Sequence, residues 1–128
     1  MEQSEKIEKF SKELDLITDE DIRTFAEYVI SNADDYFFTV PASSSAKYHP
    51  ESSLGEEGLL RHTKSVFYFI NEFSVPALMF GDVSERQKDM LLLCALAHDI
   101  KKQGDGESMG QTLMKDHPSY AASYIHRL

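Results

Sequence analysis

The stretch SERQKDMLLLCALAHDIKK, residues 84–102, decides the class of fold. Ser84 suits a helix N-cap, and Glu85 lies in the first turn, where the helix dipole favours an acid. From Asp89 to Ile100 the spacing predicts a helix that is apolar on nearly all sides, the pattern of a buried central helix. Its purely apolar part, Met90 to Ala97, is the longest such run and has eight residues, too few to cross a bilayer. Cys94, inside that run, reads as a small buried apolar side chain. The run ends in His98-Asp99, and the polar, glycine-containing stretch Lys101–Gly110 follows.

A carboxylate at the end of such a helix is costly unless it is paired or holds a metal. Imidazole and carboxylate are both ligand types that divalent transition metals accept. The C-terminal end of a helix also carries partial negative charge, which favours a cation. Adjacent helical residues point about 100° apart, so both reach one ion only where the helix is ending. The polar stretch at Lys101 meets that condition. The plainer alternative is that His98-Asp99 marks a helix exit, with Asp99 capping it or pairing with a lysine. A bare dipeptide favours that alternative.

Working outward, helical periodicity also marks residues 58–73. Leu59, Leu60, Thr63, Val66, Phe67, Ile70 and Phe73 make one apolar face, and Pro76 is expected to end it. His62, Val66 and Phe69 are at helical spacing, so His62 can face inward at the edge of the core. Alone, an inward histidine is more often a satisfied core residue than a ligand. Together with His98 and Asp99 it completes a set of two histidines and one carboxylate.

Nearer the N-terminus, Ile7, Phe10, Leu14 and Ile17 predict one helix over Ser4–Ile17, capped by Ser4. Thr18 and Asp19 read as a stop and a new cap. Ile22, Phe25, Ala26, Val29, Ile30 and Ala33 form the next helical stripe. Residues 36–57 read as a long connection, broken by Pro41 and by serines and Gly55. Met109–Lys115 suits a short turn. Asp116 or His117 caps a last helix with Pro118 at its first position, and Tyr120, Ala121, Tyr124, Ile125 and Leu128 supply its apolar side. No segment alternates with a period of two. The expectation is an all-α bundle of about five to six helices in one domain, 1–128. Its parts are acidic helices over 1–35, a loop over 36–57 and a helical core over 58–128.

The 128 residues carry a net charge of −9. Residues 1–35 hold eleven Asp and Glu against four Lys and Arg, a balance of −7, and the rest is nearly neutral. That argues against broad, charge-driven nucleic-acid binding. The single cysteine excludes a disulfide framework and a cysteine-ligated zinc. No basic-then-apolar leader opens the chain, so a cytoplasmic location without membrane contact is expected.

Gly58-Leu59-Leu60-Arg61-His62-Thr63 followed by Leu96-Ala97-His98-Asp99-Ile100-Lys101-Lys102 resembles the HD-domain superfamily of metal-dependent phosphohydrolases. Pro41-Ala42-Ser43 with Lys47-Tyr48-His49, and Asp116-His117-Pro118 with Ala121-Ala122, are similar to flanking segments of some members. The resemblance covers about residues 36–128. It implies an all-helical site with His62, His98 and Asp99 as ligands of a divalent ion, whether manganese, iron, magnesium, cobalt or nickel. Lys102 matches the lysine near the substrate phosphate. His117 matches a histidine that binds a second metal or the phosphate, and His49 a loop residue near the site.

Two positions depart from the family pattern. Lys101 stands where a glycine is common. The family's last ligand is an aspartate on a later helix, yet only Asp105, Glu107 and Asp116 follow Asp99. The expectation is a truncation before that ligand, a substitute for it, or weaker metal binding.

The favoured function is therefore metal-dependent hydrolysis of a nucleotide, a nucleic-acid end or another phosphoester. Metal-activated water is the nucleophile, and Lys102 is a point charge at the phosphate. The alternatives are an HD-like binding or regulatory module without catalysis, and a helical interaction domain in which His98-Asp99 is structural. Phe37, Phe38, Tyr48 and Tyr68 can stack on a base but are more often packing residues. The apolar side of the last helix suits either a homo-oligomer or a missing C-terminal segment.

Overall fold

Side-chain caps open the helices that start at Glu20 and Glu85, whereas the first helix starts at Gln3 without one and not from the expected Ser4. In the computed structural model, which describes residues 1–40 and 56–101, every regular element is helical. They are α1 (Gln3–Glu8), α2 (Ser11–Asp15), α3 (Glu20–Ser31), a 3-10 turn (Asp35–Phe38), α4 (Gly58–Met79) and α5 (Glu85–Ala97). The expected all-α class is found among these residues. None of the described helices is long and apolar enough to cross a membrane.

Two caps fall where the sequence placed them. Asp19 accepts from the Ile22 amide at 3.0 Å and opens α3. That bond, joined by Arg86 3.0 Å away, holds the Asp19 carboxyl below its ordinary range. Ser84 and Gln87 form a reciprocal capping box at α5. The Gln87 amide donates to Ser84 Oγ at 3.1 Å, and the Ser84 amide donates to Gln87 Oε1 at 2.9 Å.

Three local expectations are corrected. The first helix is two short ones, because the turn closes at Lys9 and Phe10 and restarts at Ser11. Phe10, Leu14 and Ile17 are buried all the same. Pro76 does not end α4, which runs on to Met79. Pro76 gives up its own bond to the Glu72 carbonyl, but its carbonyl still accepts from the Phe80 amide at 3.0 Å, so the last turn closes beyond it. The third correction is α5, which is not apolar on a buried surface all round. Leu92, Leu93 and Ala95–Ala97 are buried, but Met90, Leu91 and Cys94 are exposed.

The chain falls into two compact units, one of residues 1–32 with 64–97, the other of residues 33–63 with the stretch opening at His98. In the first, α3 packs against α1, α2 and α5. Phe10, Ile17, Ala26, Val29, Phe67 and Leu92 are among its fully buried side chains. Burial of each large one stabilises by about 1.5–3 kcal/mol. Asp89, also fully buried, accepts from the amides of Thr18 and Asp19 and from the Thr18 hydroxyl.

In the second unit, Tyr36, Phe37 and Phe38 are buried, with Leu59, Leu60 and Ile100. The rings of Phe37 and Phe38 meet edge to face at 5.2 Å. Burial makes both packing residues and leaves neither face open to a base. Tyr68, in the first unit, is partly exposed and donates its hydroxyl to Glu13. Tyr48 lies outside the described residues.

Candidate metal centre

His62 is the fifth residue of α4, and the start of α4 is tied down by backbone hydrogen bonds. The Glu57 amide donates to the Thr39 carbonyl at 2.9 Å, and the Leu59 amide to Val40 at 2.8 Å. Glu57 has a φ of 61°, a left-handed conformation disfavoured for a residue with a Cβ. The Arg61 amide then donates to the Glu57 carbonyl at 3.0 Å and begins the helical ladder. The segment after the 3-10 turn thus sets where His62 sits.

His98 and Asp99 follow the last residue of α5, Ala97, in a turn. The helix ends just before the dipeptide, and its two side chains escape the helical 100° separation. His62 Nε2 lies 3.2 Å from Asp99 Oδ2, and His98 Nε2 lies 3.1 Å from the same oxygen. The two imidazole rings are tilted by 58°, with centroids 5.6 Å apart. One ligand atom from each of the three residues lies within 4.8 Å of the others.

Asp99 is nearly inaccessible, with a side chain 4% exposed, against 20% for His62 and 36% for His98. The carboxylate is therefore the floor of the cluster, and the histidines are its solvent side. Ligands bonded at about 2.1 Å and at right angles on one ion stand about 3.0 Å apart. The two N···O separations match that spacing, and two imidazoles with one carboxylate are a set that Mn, Fe, Co, Ni or Zn accepts. The residues fit a divalent ion.

The described lysine beside the helix exit bonds Asp34. Lys101 is buried, and its Nζ donates to Asp34 Oδ2 at 2.8 Å. Lys101 is thus not a solvated loop charge, as a lysine in a polar stretch usually is. Its pairing with Asp34 had no local signal in the sequence. The departure from glycine at 101 was the one hint that this position has a separate task. Lys102, His117, His49 and His126 lie outside the described residues.

No family model, no curated protein and no solved structure matches the chain.

Proposed function

We propose that the chain is an HD-like metal-dependent phosphohydrolase acting on a nucleotide, a nucleic-acid end or another phosphoester. The convergence of His62 Nε2 and His98 Nε2 on one carboxylate oxygen of Asp99 carries the proposal. A divalent ion held by these residues supplies water of lowered pKa and positive charge beside a phosphoryl oxygen.

The chain's own residues do the rest. Asp99 gives its buried carboxylate to the site, which favours a cation there. The C-terminal end of α5 adds partial negative charge at the same place. His62 and His98, the more exposed members, leave the side from which an anionic substrate approaches. Lys102 is the proposed phosphate contact, by its place in the family-like motif. A lysine serves as a point charge there and needs no fixed fork geometry. His117 is proposed as a second contact to the phosphate or to a second ion.

The deciding experiment is elemental analysis of chelator-free protein and of Asp99→Ala, followed by turnover of a generic phosphoester with added manganese, iron or magnesium. Stoichiometric metal that is lost in the variant, with turnover, is expected. Metal without turnover moves the assignment to a binding or regulatory module of the same fold. No metal in either protein, even after addition, rules out the hydrolase.

A further inference from the structure

The second half of α4 and the exposed side of α5 leave a large apolar surface uncovered. Phe69, Phe73 and Phe80 are 63%, 72% and 81% exposed. Met90 and Leu91 on α5 are exposed to nearly half their area. The Phe69 and Phe73 rings lie 5.3 Å apart and tilted by 32°, forming one ridge.

Hollows adjoin that ridge. One of about 460 Å³ is lined by Phe69, Phe73, Pro76 and Phe80, and a second of about 320 Å³ by Phe69, Phe73, Val83 and Leu91. A third continues from Val83 and Leu91 to Met90 and Cys94. The surface is therefore continuous, and it carries both projecting rings and cavities that rings fill.

We propose that this face is a homodimer interface, seated two-fold on the same face of a second copy. Three observations favour a copy over another partner. First, the area is right. Taking about 200 Å² for a full phenylalanine, the three rings with Met90 and Leu91 present about 600 Å². Two such faces give about 1,200 Å², the lower end for a specific, stable interface and more than a monomer normally leaves bare. Second, a two-fold contact needs a self-complementary patch, and knobs beside hollows on one face provide it. Third, few charged side chains line the hollows. Glu72 and Asp82 border the first hollow, and Asp82 and Arg86 the third. Two chains of −9 repel each other unless they meet through uncharged surface.

Self-association therefore strengthens with salt, as screening removes the repulsion, whereas a contact made by opposite charges weakens. This proposal is independent of the metal site.

Sedimentation velocity on the 128-residue chain from about 1 µM to about 500 µM, a span that takes in weak interfaces at the low end of the size scale, tests it. A monomer–dimer equilibrium that tightens with salt is expected. Phe73→Glu and Phe80→Glu, both at exposed positions, should each raise the dimer Kd at least about 30-fold. Tyr28→Glu, on exposed α3 surface, should leave it within about twofold. Circular dichroism of all three variants checks that the helices persist. A chain monomeric throughout overturns the proposal, as does a dimer indifferent to both phenylalanine variants or weakened by salt. A monomer that pellets with phosphatidylcholine vesicles also overturns it and assigns the face to lipid.

Discussion

The carboxylate of Asp89 accepts two hydrogen bonds from Thr18, 71 residues away: the amide donates at 3.2 Å and the hydroxyl at 2.9 Å. The Asp19 amide adds a third at 2.7 Å. One buried side chain on α5 thereby fixes the junction at which α2 gives way to α3. Asp19 in turn caps α3, so the two aspartates act in series.

Asp89→Ala should destabilise the protein by about 3 kcal/mol, because hydrogen bonds to a buried charged group contribute about 1.5–3 kcal/mol each and are not additive. Asp89→Asn keeps one acceptor and should cost less. Urea unfolding midpoints of the two variants measure this. A loss below about 1 kcal/mol for the alanine variant would show that water replaces the carboxylate at no cost.

The legible parts of the fold were the local ones. Asp19 and Ser84 announce helix starts because a cap bonds an amide three residues on. His98-Asp99 was legible as a helix end because an apolar run stops there and a polar stretch begins. Asp89 was not legible as a clamp, nor Asp34 as the partner of Lys101. Their partners are about seventy residues distant, and such pairings leave no periodicity in the chain. Cys94 misled for another reason. The run Met90–Ala97 has no hydrophilic residue to show which face it turns to solvent, so the exposure of Met90, Leu91 and Cys94 was hidden.

Tyr68 donates its hydroxyl to Glu13, which is buried and also lies 3.4 Å from Lys64 Nζ. The hydrogen bond to Glu13, then burial, then the Glu13 charge push the phenol up to about 12. An ordinary tyrosine ionises near pH 10. Folded Tyr68 holds its proton more tightly than unfolded Tyr68. The stability it contributes is therefore complete below about pH 10 and lost as pH rises towards 12. In a phenolate absorbance titration, Tyr68 should contribute a late step, and Tyr68→Phe should remove it. A titration unchanged by the substitution would place the late phenol elsewhere.

The 2.8 Å bond between Lys101 and Asp34 joins the turn carrying His98 and Asp99 to the residue preceding the 3-10 turn. Asp34→Ala removes an acceptor from a buried ammonium and should cost about 2–3 kcal/mol. Lys101→Met replaces the charge by an apolar chain of similar length and should cost about 1 kcal/mol or less. The double variant should then be no worse than Asp34→Ala alone. Thermal unfolding of the four proteins gives the cycle. Strict additivity would mean that the pair does not interact energetically.

The proposed metal binding has a consequence for stability that does not depend on turnover. His62 comes from α4 and His98 and Asp99 from the turn after α5, positions about forty residues apart that come together only in the folded chain. An ion bound there binds the folded state and not the unfolded one. At a free concentration of about 100 times Kd it adds about 2.7 kcal/mol, a rise of about 10 °C in Tm for a domain of this size. Manganese, iron or cobalt should produce the rise, and a chelator should reverse it. His62→Ala and His98→Ala should each abolish most of it, since each removes one of the three proposed ligands. The exposed acids of residues 1–35 offer cations a weaker surface that these variants leave intact. A Tm rise that survives both histidine substitutions would therefore belong to that surface and not to the cluster around Asp99.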